Sequence, residues 1–136
     1  MQVFDDPTAS GGKYIMKDPA ADESNDNPPA DGLVTYTFTV AGGTYKIACR
    51  VMSNGGNDSF WVRLPGATTQ TTNHSSGWIR WAGLSQEVVW GWEDVFSSNN
   101  NNVTVEFTMS AGPHTLEIRY REDETQLDAL VITNID

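Results

Sequence analysis

Apolar side chains recur at every second position through much of the chain, first as Val34, Tyr36, Phe38 and Val40, with Thr35, Thr37 and Thr39 between them. A period of two puts alternate residues on opposite faces of a pleated strand, so this run predicts a strand buried on one side. Ala41-Gly42-Gly43 turns the chain, and Tyr45, Ile47, Cys49 and Val51 resume the alternation. Residues 53–58, Ser-Asn-Gly-Gly-Asn-Asp, supply the Gly and Asn that a turn requires. In the next run Phe60, Val62 and Leu64 face inward, which leaves Trp61 and Arg63 on the other face. Val103, Val105, Phe107 and Met109 mark one side of a further strand, residues 110–114 turn it, and Leu116, Ile118 and Tyr120 follow, so these two runs read as a hairpin. The closing run, 127–135, is apolar on both faces around Asp128 and reads as a central strand. No segment sustains a helical spacing over three turns. The pattern predicts an all-β fold, an antiparallel two-sheet β-sandwich.

Three segments fall outside the ladder. Residues 17–32, rich in Pro, Asp and Asn, predict a long surface loop; residues 65–77 predict another, and Ser97–Asn102 an exposed tight turn. No internal repeat is present. At 136 residues the chain has the size of one domain with a single core. It enters strand-like sequence at once, as expected of a domain excised from a longer protein.

Charge narrows the partners. A formal net charge of −10 disfavours anything held by phosphate neutralisation, which removes nucleic acid and anionic membranes. No apolar run is long enough to span a bilayer, and no basic start followed by an apolar stretch marks a signal peptide. The single cysteine, Cys49, alternates with core positions and is expected to be a buried thiol.

Catalytic constellations are thin. His74 and His114 both sit in turn-like sequence and are expected to be exposed; HExxH, Cys-His metal spacings and G-x-S-x-G do not occur. Carboxylates pair as Glu93-Asp94 and within Glu122-Asp123-Glu124, but strand neighbours point to opposite faces, which spoils the first pair for glycoside hydrolysis. Asp22, Ser24 and Asp26 start like a calcium loop, yet Asn27 and Leu33 stand where its Gly and Glu belong. Aromatic rings are another matter. Trp78, Trp81, Trp90 and Trp92 crowd into residues 75–95 among polar neighbours. A tryptophan face is flat and apolar, as is the C–H face of a pyranose, so stacking buries area on both without burying a charge. Arg80, Glu93, Arg121 and Gln126 could meet sugar hydroxyls. About two of the four rings are expected in the core, because a sandwich of this size commonly buries that many.

Taken in order, "ASGGKYI", "GGTYKIACRV", "NDSFWVRL", the spaced tryptophans of "VVWGWEDV", "SAGPHTLEIRYRED" and "TQLDALVIT" resemble non-catalytic carbohydrate-binding modules of the family 6 and family 35 type. The resemblance covers nearly the whole chain. It implies a galactose-binding-like, jelly-roll β-sandwich, a monomer appended to a secreted bacterial polysaccharide-degrading enzyme, an extracellular location, and a polysaccharide or oligosaccharide as partner. Position by position, it implies a sugar-stacking ring at Trp90 or Trp92 and an amide at Gln126, two residues before Asp128. Trp78, Trp81 and Arg121 are added on the chemical argument. Of the two strand-related rings, Trp90 is expected to face ligand and Trp92 to be core. A structural calcium is implied at Asp128 and the Lys13 carbonyl, although the chain begins at "MQVFDD", after the place of the acidic opening strand that completes such a site. The alternatives in other classes are an exported lectin-like or adhesive domain, and a small glycosidase or lyase.

Overall fold

The computed structural model describes residues 1–136. Thirteen strands run β1 (Gln2–Asp5), β2 (Lys13–Met16), β3 (Val34–Val40), β4 (Gly43–Met52), β5 (Ser59–Arg63), β6 (Thr68–Thr69), β7 (Ile79–Ala82), β8 (Gly91–Asp94), β9 (Phe96–Ser97), β10 (Val103–Thr104), β11 (Phe107–Met109), β12 (Gly112–Tyr120) and β13 (Gln126–Asn134). The helical content is three single 3₁₀ turns. No helix is long and apolar enough to cross a membrane.

The strands form the expected antiparallel sandwich. The larger sheet is ordered β1-β2-β13-β4-β11-β6, with β8 also on β4; the smaller is β3-β12-β5-β7, and β9 and β10 make a separate ribbon. Tyr45, Ile47, Cys49 and Val51 of β4 meet Phe60, Val62, Leu116 and Ile118 across the interior, in one cluster with Trp81, Val95, Val105 and Phe107. Each such fully buried aliphatic or Phe side chain contributes roughly 1.5–3 kcal/mol from apolar burial. Burial pushes the Cys49 thiol up to about 12, so it remains protonated and unreactive.

The structure alters four of the sequence expectations. The two runs read as a hairpin lie in different sheets: β11 pairs with β4 and β6, whereas β12 pairs with β3 and β5, so the Ser110–Ala111 turn carries the chain across the sandwich. The strand expected at 103–109 is also broken. Val103 is exposed in the β9–β10 ribbon, and the Gln70 amide bonds Thr104 O and Glu106 N, taking the place of a strand neighbour. The closing strand β13 does lie between β2 and β4, but β2 reaches it only at Leu127–Ile15, and Val131 stands 46% exposed on the outer face. Both histidines are half-buried: His74 lies edge-on to Trp61 at 4.9 Å, and His114 Nε2 lies 2.8 Å from Ser110 O.

The loop at 17–32 is without strand, as its composition predicts, yet it is fastened down. It lies over the outer face of the smaller sheet, where Trp61 Nε1 donates to Ser24 O, Arg121 Nε to Asn25 O, Arg119 to Pro29 O and Tyr120 Oη to Asp31. Lys17, at its root, is only 2% exposed; its ammonium bonds Asp18 O and Ala21 O and pairs with Asp123 at 2.6 Å. Gly32, at φ +72°, ends the loop where any Cβ would overlap the Tyr120 ring.

Candidate functional site

Register on the larger sheet determines which side chains share its outer face. On β4 the odd positions from Tyr45 to Val51 are buried, so Lys46, Ala48, Arg50 and Met52 point outward. Directly opposed residues share a face: Arg50 pairs with Trp92, Ala48 with Asp94 and with Val131, and Met52 with Gln126. Extending β8 by one residue sets Trp90 across from Met52. The outer face therefore carries Gln126, Met52 and Trp90 in one row, Ala129, Arg50 and Trp92 in the next, then Val131, Ala48 and Asp94. Trp90 and Gln126 stand two inter-strand spacings apart, about 10 Å. Gly91, between the tryptophans, leaves the room that the Gln86 side chain occupies.

Both rings of "WGW" share a face, as the spacing predicts, but neither is core, and Trp92 is the more open of the two. Trp92, expected to be core, is 52% exposed. Trp90 is half-buried: its Nε1 donates to Thr8 Oγ1, Tyr14 meets it edge-on at 5.7 Å, and the Arg50 guanidinium lies 5.4 Å from its ring centre. The 6–12 loop covers Trp90 and stops short of Trp92. The chain reaches Trp90 through Val88 and Val89, which are 72% and 61% exposed. Val88 has φ +59°, an outlier for a β-branched residue, and it is held by its amide on Ser53 O while Ser53 N bonds Gln86 O. Strain of this kind is kept where surroundings over-determine a loop, often at binding sites. Glu93 fixes the same loop by accepting from Ser85 and Gln86 amides.

Three other candidates are corrected. Trp81 is fully buried between the sheets against Phe60 and Phe96 and has no open face. Trp78 is 4% exposed, with Arg63 and Arg119 at 4.4 and 5.2 Å from its ring. Arg121 is 6% exposed and bonded to Asn25 O and Ser59 Oγ; burial, then nearby Arg80, lower its pKa. Gln126 reaches the outer face, but its Oε1 is buried without a partner. Met16, Lys17, Pro19, Asn57, Asp123 and Glu124, the last two just before Gln126 in the chain, line a hollow of about 340 Å³. The larger hollow, about 500 Å³, lies beside the 65–77 loop; its Arg63 is held by Glu117, and no exposed ring opens into it.

The carboxylates serve structure. Glu122 accepts from Asp58 N and Ser59 Oγ, Glu124 from Asn54, and Glu117 from Arg63. Asp58 lies against Glu122; burial, followed by that neighbour, raises its pKa. A raised carboxyl pKa favours the fold below the unfolded value and loses that advantage as pH rises through the folded one. Asp58→Asn should therefore melt higher than the parent chain at pH 7, with the gap closing below about pH 4. Melting curves across that range check this; a gap independent of pH would refute it.

The residues at Asp128 do not suit calcium. Its side chain is fully buried; Oδ2 accepts from Ser10 N and the Arg50 guanidinium, and Oδ1 alone is unpartnered. Calcium takes six to eight oxygens, usually several anionic, whereas the chain nowhere gathers three acidic, His or Cys side chains, and here a guanidinium already occupies the carboxylate. Lys13 lies opposite Asp5 on β1, to which its ammonium is paired at 2.5 Å.

No protein-family model matches the chain, and no curated protein matches it. Among solved structures it is similar to an exo-β-1,3-galactanase from Phanerochaete chrysosporium, a variant crystallised with β-1,3-galactotriose, at a TM-score of 0.49 and 14% identity. The match covers 97% of this chain and 26% of that one.

Proposed function

We propose that the chain is a non-catalytic carbohydrate-binding module of the family 6 and family 35 type, which attaches a secreted polysaccharide-degrading enzyme to its glycan. The observation that carries this reading is the open Trp92 ring on a solvent-facing sheet row, beside Trp90 and flanked by Arg50 and Asp94. A sugar ring stacked on Trp92 buries apolar area on both partners without burying a charge, and Arg50 and Asp94, paired with Asp128 and Lys46, border it with polar atoms. The site is an open face, suited to a length of polysaccharide lying across the strands. Engagement of Glu93, Glu117, Glu122 and Glu124 in structural bonds supports a binding role over hydrolysis or elimination, which need carboxylates converging on a cleft.

Affinity electrophoresis on neutral, uronic and sulfated polysaccharides identifies the glycan, and titration of variants tests the surface. Trp92→Ala should remove a stacking contact worth about 1–3 kcal/mol, roughly 5- to 150-fold in affinity, with little change in melting temperature because the ring is half in solvent. Retention of full affinity by Trp92→Ala would overturn the placement of the site. Failure of the parent chain to bind any polysaccharide in the panel would overturn the function.

A further inference from the structure

The 6–12 loop has almost no apolar anchor apart from Ala9, yet it is pinned to the middle of the larger sheet. The pin is polar. Arg50, on β4, reaches the buried Asp128 at the β13 bulge with one nitrogen, and both of its terminal nitrogens lie 3.4 Å from Thr8 O. Ser10 N donates to the same carboxylate oxygen at 2.8 Å, and Trp90 Nε1 donates to Thr8 Oγ1 at 3.1 Å. Asp6 closes the loop on itself by accepting from Thr8 N and Oγ1. A cation, a buried carboxylate and a carbonyl oxygen from a surface loop thus meet at one point, where β13, β4 and the loop come together.

We propose that the Arg50 guanidinium is the structural cation of this fold, standing where the family resemblance implies calcium, so that the chain is built to be independent of metal. The charge balance supports it: Asp128 and Arg50 neutralise each other, and a divalent ion sharing that carboxylate would be repelled by the guanidinium. Geometry supports it as well, because a planar fork can hold a carboxylate and a carbonyl together, which a lysine ammonium does less well. Arg50 is opposite Trp92 and against Trp90, so it also backs the proposed sugar surface. The proposal itself concerns stability, and its test involves no glycan, so it stands or falls apart from the binding reading.

The test is calorimetric melting of the whole chain in excess calcium, in excess chelator, and as variants. The parent chain should melt at one temperature in both conditions and carry no calcium by elemental analysis. Arg50→Ala leaves the Asp128 carboxylate buried without its cation and should lower the melting temperature by roughly 10 °C. In an Asp128→Asn background, which keeps the shape and removes the charge, the same Arg50→Ala change should cost only a small fraction of that, and this pair supplies the answer if Arg50→Ala alone does not fold. A lower melting temperature in chelator, or one calcium per chain, overturns the proposal. Equal losses in the two backgrounds also overturn it, since Arg50 would then act through packing alone.

Discussion

Trp81→Ala should lower stability by about 3–5 kcal/mol, a large part of the 5–15 kcal/mol that holds a domain of this kind together. Trp81 is fully buried, packs on Phe60 at 6.1 Å and Phe96 at 6.4 Å, and belongs to the cluster that joins the sheets. Removing its indole leaves a void that these flanking rings can close only in part. The result to compare is Trp92→Ala, a change of the same chemistry 11 residues on, which should leave the melting temperature almost unmoved. Thermal melting of the two variants side by side decides it; equal losses would mean that the ring on the sheet surface is a packing element.

Trp61→Ala should cost a similar amount, about 3–5 kcal/mol, with a different signature. Trp61 points out of the smaller sheet, and its burial is made by segments laid over it: Ser24 O accepts from its Nε1, His74 meets its ring edge-on, and the Arg121 guanidinium lies 5.8 Å from its centre. Loss of the indole should release the 17–32 loop as well as destabilise the sheet, so limited proteolysis should cut within residues 17–32 before the domain unfolds. Trp61→Phe keeps most of the ring and loses the donor, and should cost nearer 1 kcal/mol. If Trp61→Ala is no more sensitive to protease in that loop than Trp81→Ala, the loop is held by Arg119, Arg121 and Lys17 without it.

These contrasts also indicate which parts of the structure were legible beforehand. The inward and outward faces of residues 34–40, 43–52 and 59–64 follow from a local period of two, and the structure reproduces them. Partner choice is not local. The runs at 103–109 and 112–120 have the look of a hairpin, but each pairs with strands far away in sequence, because the alternating faces fit equally well on either sheet. The shared face of Trp90 and Trp92 could be read from spacing, whereas which ring stays open depends on where the 6–12 loop folds. Residue type alone puts Trp78, Trp81 and Arg121 at the candidate site, and their burial depends on the 17–32 loop, on two arginines and on the opposing sheet. Lys17 carried no signal beyond its place at the start of a Pro- and Asp-rich segment; the carbonyls that hold it appear only once that segment turns back on itself.

The position of β13 between β2 and β4 has a kinetic consequence. Its first residues bridge strands whose own positions in the chain are some 75 to 110 residues earlier, and β12 must likewise reach back to β3. Such pairings demand closure of long loops before any contact rewards them, which puts folding in the slow, millisecond-to-second class. Until β13 has been synthesised, the larger sheet has a gap at its centre, with β2 unattached to β4. Apolar inner-face residues therefore stay exposed until β13 is in place, and a truncation that removes β13 would release an unfinished, aggregation-prone chain rather than a smaller domain.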